Sequence, residues 1–334
     1  MQRPPYSRSV ATDVTYSLVI PTRGRPEFVE QAVASALAQS RRFDEIIVVV
    51  DGTDKAPPRL EEGLVRVLEI EHAGVAVARN VGLAEARSDW VCFLDDDDLL
   101  HPHYLARIDD ARRLDASRRA MSTWYWTFSA DRDNNDSADI HADSLEECVA
   151  AAQSARPRTD MGYLDIEGRS FDMLLDGLRG SMSTTAVERI LLLNAGGFPA
   201  GFTSAEDWTM YINVSRFAEW HIVRERLGFF RDHATTNTRS GGTRNGLMML
   251  RALDSFWRDS SLPVAPHRPI SSYRIPYRRL VETTLAAARA RGDRASYDEA
   301  RRLAHRILPR RIDRIRAAVP APLRRRLRAL LGRG

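Results

Sequence analysis

Lysine is almost missing from this 334-residue chain: Lys55 is the only one in a combined lysine and arginine total of 49. The bias fits codon composition and carries no chemistry by itself, but no Gly-rich, Lys-bearing phosphate loop follows the first strand. Cysteine is equally scarce. Cys92 and Cys148 are too few for a disulfide framework, neither has a metal-ligand neighbour at useful spacing, and both read as structural thiols of a reducing compartment. No apolar run approaches the roughly 18 residues of a membrane span. The opening MQRPPYSRSVATD lacks the apolar segment of a signal peptide. The expected location is cytoplasmic, at most peripheral at the inner face of a membrane.

What is present describes an ordinary globular protein, with 43% hydrophobic and 28% charged residues and enough length for one large domain or two. The net charge of +4 hides an asymmetry. Residues 301–334 hold twelve arginines and one acid, Asp313, so the rest of the chain is acidic. In that tail, RRLAHRILPRRIDRIRAAV and PLRRRLRALLGRG set Leu and Ile among arginines at roughly helical spacing. Such a pattern suits an interfacial helix on anionic lipid, solvated helices packed on the domain, or a partially disordered end. No aromatic platform accompanies the charge, and no nucleic acid partner is expected.

Along the chain, short apolar runs alternate with helical patterns. Residues 1–14 are a polar lead-in. Tyr16–Ile20 reads as a first strand ended by Pro21, followed by a helix behind Pro26. Glu45–Val50 is a second buried strand that delivers Asp51 and Gly52 at its end. Leu64–Ile70 fits a short strand and Gly74–Ala86 a packed helix leading into Trp90–Leu100, WVCFLDDDDLL. Strands alternating with helices predict an α/β fold with a mostly parallel sheet. Beyond Pro102 the spacing predicts a helix over 103–119, an aromatic strand over 121–129, a polar insertion over 130–168 and a strand over 227–231. Glu206 and Asp207 open another helix, where acidic residues suit the macrodipole.

Val91–Leu94 reads as a strand buried on both faces, which puts Asp95–Asp98 at its C-terminal end, the edge where open α/β sheets bind ligands. Two carboxylates 4 Å apart repel by about 1 kcal/mol in water and about 4 kcal/mol at an effective dielectric of 20. A divalent cation removes that penalty, and hard oxygen ligands favour Mg²⁺ or Mn²⁺. Two readings follow from this stretch alone: a metal and diphosphate site, or a solvated acidic turn.

The ordered set is more specific than any of its parts. PTRGRP after the first strand, VVDGT after the second, ARNVGLAEA before the third, FLDDDD at its end, and GGF with EDW about a hundred residues later resemble the family 2 glycosyltransferases of the GT-A fold. The resemblance covers residues 15–240. It implies a Rossmann-like central sheet flanked by helices, with a nucleotide-binding half over 15–102 and an acceptor half over 103–245; beyond it, residues 246–334 read from their own spacing as a helical, Arg-rich extension.

It also implies roles. Pro21, Thr22 and Arg23 would line the base pocket, with Asp51 accepting the N3 hydrogen of a uracil-type base; Val50 stands where the usual pattern has a further aspartate. Arg79 and Asn80 would approach the base or diphosphate, unless they are a charged residue and a cap on a surface helix. Asp95 and Asp97 form the DxD pair, Asp97 ligating Mn²⁺ or Mg²⁺ directly while Asp95 and Asp96 touch ribose, sugar or metal-bound water. Asp98 is expected to be solvated, and His101 and His103 to be bystanders. His233 would be a further metal or diphosphate ligand, and Arg231, Arg239 and Arg244 would neutralise the leaving diphosphate. Asp207 is the expected catalytic base of an inverting transfer, positioned by Glu206, and Trp208 belongs either to a sugar face or to the core. The implied activity moves a sugar from a nucleotide-diphosphate donor, UDP first, to a hydroxyl of a glycan, lipid-linked saccharide or small molecule. A nucleotide-sugar-binding protein without turnover and a sugar nucleotidyltransferase are the alternatives.

Overall fold

A computed structural model of the chain describes residues 14–52, 63–131, 138–158, 160–177, 179–233, 242–258 and 270–308. Most of the lead-in, Arg239 and the tail beyond residue 308 lie outside the described residues.

The first half follows the predicted alternation: β1 (Tyr16–Thr22), α1 (Pro26–Leu37), β2 (Glu45–Asp51), β3 (Val65–Ile70), α2 (Val75–Glu85), β4 (Trp90–Phe93) and β5 (Leu99–Leu100). Then come α3 (Tyr104–Leu114), β6 (Ala120–Ser129), β7 (Ile140–His141), α4 (Leu145–Ala152), α5 (Ser170–Asp176), β8 (Thr185–Glu188), α6 (Arg189–Asn194), α7 (Glu206–Val214) and β9 (Trp220–Arg231). Three helices follow: α8 (Gly242–Arg258), α9 (Arg274–Ala290) and α10 (Arg294–Ile307).

Among the described residues the strands form one sheet in the order β3-β2-β1-β4-β8-β6-β9-β5, with β7 beside β6. Strands β1 to β4 are mutually parallel, as are β6 with β7 and with β9, while β8 runs antiparallel to β4 and β6 and β5 antiparallel to β9. The apolar runs of β1, β2 and β4 send alternate side chains to opposite faces, the period of a strand. Val19, Ile47, Val49, Val91 and Phe93 enter one core with α2 and α7. Leu18, Ile20, Ile46, Val48 and Cys92 enter the other with α1 and α3. The three last helices share the first core through Leu250, Leu253, Tyr277 and Leu303, joined by Tyr273 just ahead of α9.

Pro21 does not end β1, which continues to Thr22 and pairs Pro21 with Val49 of β2. A proline is tolerated in this central strand because β4 pairs only as far as Val19 with Phe93, so no ladder partner remains on that side. Beyond Phe93 the chain swings away into the aspartate run. β9 is longer than its apolar end suggests because Arg224 and Glu225 lie on its exposed side.

Helix α2, which carries Arg79 and Asn80, is seated directly on β1. A Cβ on Gly82 would lie 2.3 Å from Val19 Cγ1, so only glycine allows that approach. Gly82→Ala is expected to destabilise the fold by about 1–3 kcal/mol. Urea unfolding measures it, and a neutral substitution would show that α2 is not held against β1.

Candidate active site

The four aspartates are not equivalent: Asp96 and Asp98 are buried, while Asp95 and Asp97 keep partial access to solvent. Leu94 N still donates to Val19 O (3.1 Å), after which Asp95–Asp98 close a turn through Asp98 N to Asp95 O (3.1 Å). Asp96 is buried beneath the end of β1, where Thr22 Oγ1 donates to it at 2.6 Å and the Arg25 guanidinium pairs with it. Burial pushes its carboxyl up to about 6, against the lowering effect of Arg25 and Thr22. Asp97 Oδ2 meets Arg25 Nη1 at 2.5 Å and His233 Nε2 at 3.1 Å. Desolvation raises its pKa, but the His233 hydrogen bond and the Arg25 charge outweigh it and hold the carboxyl below the ordinary range.

Asp98, expected to be solvated, is 1% exposed. It accepts from Ser183 Oγ at 2.5 Å and from Arg231 N at 2.9 Å, and burial beside Asp97 and Asp95 drives its pKa well upward. The short turn folds this side chain inward between the loop before β8 and the end of β9. Arg231 is likewise fixed, donating to Asp97 O (2.8 Å) and Gln31 Oε1 (2.6 Å) between the rings of Phe28 and Phe128. It buttresses the turn. Arg244 donates to Thr203 Oγ1 at 2.7 Å.

Asp95 points to the other carboxylate pair. Arg79 is buried and forked, with Nη2 on Asp95 Oδ1 at 2.6 Å and Nη1 on Glu206 Oε1 at 2.9 Å. One guanidinium therefore joins the aspartate run to the start of α7. Burial lowers the Arg79 pKa, but the flanking carboxylates prevail and raise it. Glu206 Oε2 is buried with no hydrogen-bond partner among the described residues. Next to it, the Asp207 carboxyl is pushed up to about 6, by desolvation first and then by the negative charge of Glu206. The turn into α7 passes through Ala205 at φ 60°, the only non-glycine with positive φ among the described residues. Such a residue typically costs about 1–3 kcal/mol and is retained where the structure needs that turn. Trp208 belongs to the core, 1% exposed, with Nε1 on Leu174 O at 2.8 Å.

The remaining sequence candidates divide. Pro21 and Thr22 lie at the end of β1, Thr22 already bonded to Asp96, and Arg23 is exposed next to Gly52. Asp51, at the end of β2, is buried and accepts from Ala73 N (2.7 Å) and Gly74 N (3.0 Å), with His72 Nδ1 at 3.0 Å. Its carboxylate thus holds the loop into α2. Asn80 faces the GGF loop rather than the aspartates: Nδ2 donates to Phe198 O (2.8 Å) and Oδ1 accepts from Phe198 N (2.9 Å). Its place one residue along α2 from Arg79 turns it to that side. His103 bonds Ser40 Oγ at 3.0 Å and packs against the His101 ring, near the start of α3.

Asp97 Oδ2 and His233 Nε2 are the pair suited to a divalent cation, one hard oxygen and one imidazole nitrogen already adjacent. Asp95 is engaged by Arg79, and no group of three His, Cys, Asp or Glu able to hold a metal occurs among the described residues. The carboxylate fits Mn²⁺ or Mg²⁺, and Mg²⁺ usually takes one or two carboxylates and completes its shell with water and substrate phosphate oxygens; the imidazole is the softer donor of the two.

Two residues of this site escaped sequence reasoning. Arg25 lay in plain view within PTRGRP, where the position of a charge after β1 was the available signal. Ser183, which donates to Asp98 and accepts from Asp95 N (3.2 Å), carries no sequence signal at all.

A nine-stranded α/β sheet with acidic groups gathered at the ends of its parallel strands is the architecture of the GT-A fold. Solved structures agree. S. aureus TarS 1–349 superposes with a TM-score of 0.59 at 14% identity, over 93% of this chain and 85% of that one. TarS 1–349 in complex with UDP-GlcNAc gives 0.58 at 13% identity. The mannosyltransferase PcManGT from Pyrobaculum calidifontis, in complex with GDP-Man and Mn²⁺, gives 0.52 at 15% identity over 97% of this chain and 89% of that one. At these identities the likeness is one of fold. Residues 17–135 match the profile of glycosyl transferase family 2, and the match is confined to that segment. Succinoglycan biosynthesis protein ExoO of Rhizobium meliloti is 34% identical over 110 residues, 31% of this chain and 30% of that protein. Minor teichoic acid biosynthesis protein GgaA of Bacillus subtilis is 29% identical over 107 residues, 28% of this chain and 24% of that protein. The chain spans less than a third of the length of either relative.

Replacing Arg79 with Met leaves Asp95 and Glu206 without their shared cation. The expected cost is about 3–5 kcal/mol, the range for breaking a buried ion pair from one side. Chemical unfolding tests it; a loss below about 1 kcal/mol, the size of a surface pair, would mean that the guanidinium does not hold the two carboxylates.

Proposed function

We propose that the protein is an inverting, metal-dependent glycosyltransferase that moves a sugar from a nucleotide-diphosphate donor to an acceptor hydroxyl. The observation that carries this reading is the Arg79 bridge, which brings the aspartate run and the ED pair into one site although 127 positions separate Arg79 from Glu206. A donor set and a base candidate are thereby neighbours.

The nucleotide would lie over the ends of β1 and β2, near Pro21, Thr22 and Arg23. Asp51, committed to the loop before α2, would hold that floor in shape and offer the base only a remaining lone pair. Asp97 and His233 would hold Mn²⁺ or Mg²⁺, which when bound supplies Lewis-acid neutralisation of the diphosphate. Asp207 removes the proton of the acceptor hydroxyl as its oxygen bonds to the anomeric carbon and the bond from that carbon to the diphosphate oxygen breaks. The proton then resides on Asp207. Glu206, anchored by Arg79, fixes the position of its neighbour and keeps its electrostatic influence constant. UDP and GDP are both plausible nucleotides on fold, since TarS is solved with UDP-GlcNAc and PcManGT with GDP-Man. The names of ExoO and GgaA favour an acceptor in cell-surface polysaccharide assembly. Contact of the basic tail with an anionic membrane would suit a lipid-linked acceptor.

Calorimetric titration of UDP, GDP and dTDP with and without Mn²⁺ comes first. Metal-dependent binding of one of them is expected, and Asp97→Ala should weaken it about tenfold or more, the loss typical when a metal site is disturbed. Binding indifferent to Mn²⁺ would remove the metal from the reading.

The base carries two further expectations. Asp207→Asn should abolish transfer while donor affinity stays within a few fold. With its pKa at about 6, Asp207 is protonated in acid, so kcat/KM should climb to a plateau above that pH. A profile flat between about pH 5 and 7 would remove Asp207 as the base.

A further inference from the structure

Asp97 Oδ2 is contested. Arg25 Nη1 lies 2.5 Å from it and His233 Nε2 lies 3.1 Å from the same oxygen, so the guanidinium occupies the flank of the donor pair that suits a divalent cation. The rest of the fork rests on Asp96, with Nε 3.2 Å from Oδ2. Arg25 reaches this position from the loop between β1 and α1, and its side chain remains 36% exposed, whereas Asp96 is 1% and Asp97 17% exposed. The carboxylates are fixed and the cation has room to turn.

A guanidinium and a divalent ion on one carboxylate oxygen repel, and neither can share that place. A cation arriving at Asp97 and His233 therefore has to expel Arg25 Nη1. The displaced guanidinium does not leave the site, because its backbone is pinned ahead of Pro26 and its fork is still drawn to Asp96. On the proposed reading a bound donor would set its diphosphate beside this guanidinium, and a planar fork of donors matches phosphate oxygens.

We propose that Arg25 is an exchangeable internal cation: it holds the metal's place at Asp97 in the free protein and turns to the donor diphosphate when metal and nucleotide bind. The proposal rests on the reading of this site as a nucleotide-diphosphate site. In thermodynamic terms, Arg25 opposes metal binding and favours nucleotide binding. Removing it should move the two affinities in opposite directions, which a merely structural role would not do.

The test uses the full chain, Mn²⁺ alone followed by electron paramagnetic resonance of the free ion, and calorimetry of UDP and GDP at saturating Mn²⁺. Arg25→Met should bind Mn²⁺ about tenfold tighter than the unsubstituted protein, because a unit positive charge has left the ligand's immediate neighbourhood. It should bind the nucleotide about tenfold more weakly, having lost a charge-assisted contact. Arg25→Lys keeps the charge and should bind Mn²⁺ no tighter than the parent. If Arg25→Met folds poorly, the rise in its thermal midpoint on adding Mn²⁺ should exceed that of the parent. Equal or weaker Mn²⁺ affinity in Arg25→Met, or an equal or smaller thermal rise, overturns the displacement. Unchanged nucleotide affinity overturns the turn toward diphosphate. Failure of the unsubstituted protein to bind Mn²⁺ and either nucleotide overturns the donor-site reading itself, and is recognised without any variant.

Discussion

The site depends on one buried guanidinium. Arg79 sits in α2, a helix that approaches β1 only because Gly82 lacks a side chain, and from there it reaches Asp95 after β4 and Glu206 at the start of α7. A buried arginine without partners would be prohibitive, and so would two carboxylates without a cation. Each is tolerable only in the presence of the others. The three elements are consequently fixed relative to one another by electrostatics that none could satisfy alone, and Asp207 inherits its position from that arrangement.

The charge in the site is not balanced. Asp95, Asp96, Asp97, Asp98, Glu206 and Asp207 face Arg25, Arg79 and Arg231, and Arg231 spends its donors on Asp97 O and Gln31 rather than on a carboxylate. The surplus adds to the effect of burial on the carboxyl groups. Asp96, Asp98 and Asp207 are all displaced upward, burial being the largest cause and like charge a contributor in each. Holding protons on some carboxylates relieves a repulsion that full ionisation would create. On the proposed reading a diphosphate adds further negative charge, so its binding calls for cations that arrive with it or turn toward it.

Much of this was legible in the sequence. The apolar runs of β1, β2 and β4 are continuous because both faces of the sheet are covered, and a continuous run that ends in charged residues marks its own C-terminal edge. The order of PTRGRP, VVDGT, FLDDDD and EDW already resembled that of the family 2 glycosyltransferases, and residues 17–135 match that family's profile. What could not be read was direction. Asn80 and Arg79 are adjacent in one motif, yet helical geometry sends one to Phe198 and the other to Asp95. Asp98 resembles a solvated turn residue in sequence and is buried because Ser183 and the end of β9, distant in the chain, converge on it. The β6–β8–β9 arrangement was equally hidden, since antiparallel insertion of β8 between β4 and β6 is a long-range pairing that local periodicity does not encode.

Arg25 illustrates the same limit from the other side. As a residue type in an exposed loop of an arginine-rich chain it attracts no notice, because a surface arginine is usually worth little. Its significance comes from what it faces: a buried carboxylate, Asp96, and a half-buried one, Asp97, held by Thr22 and His233. A flexible cation opposite a rigid anionic pair is a weak brace and an effective exchange partner, because the energy of the contact can be transferred to another cation without moving the backbone. On this reading the rigid parts of the site are the carboxylates, and the adjustable part is the guanidinium that covers them.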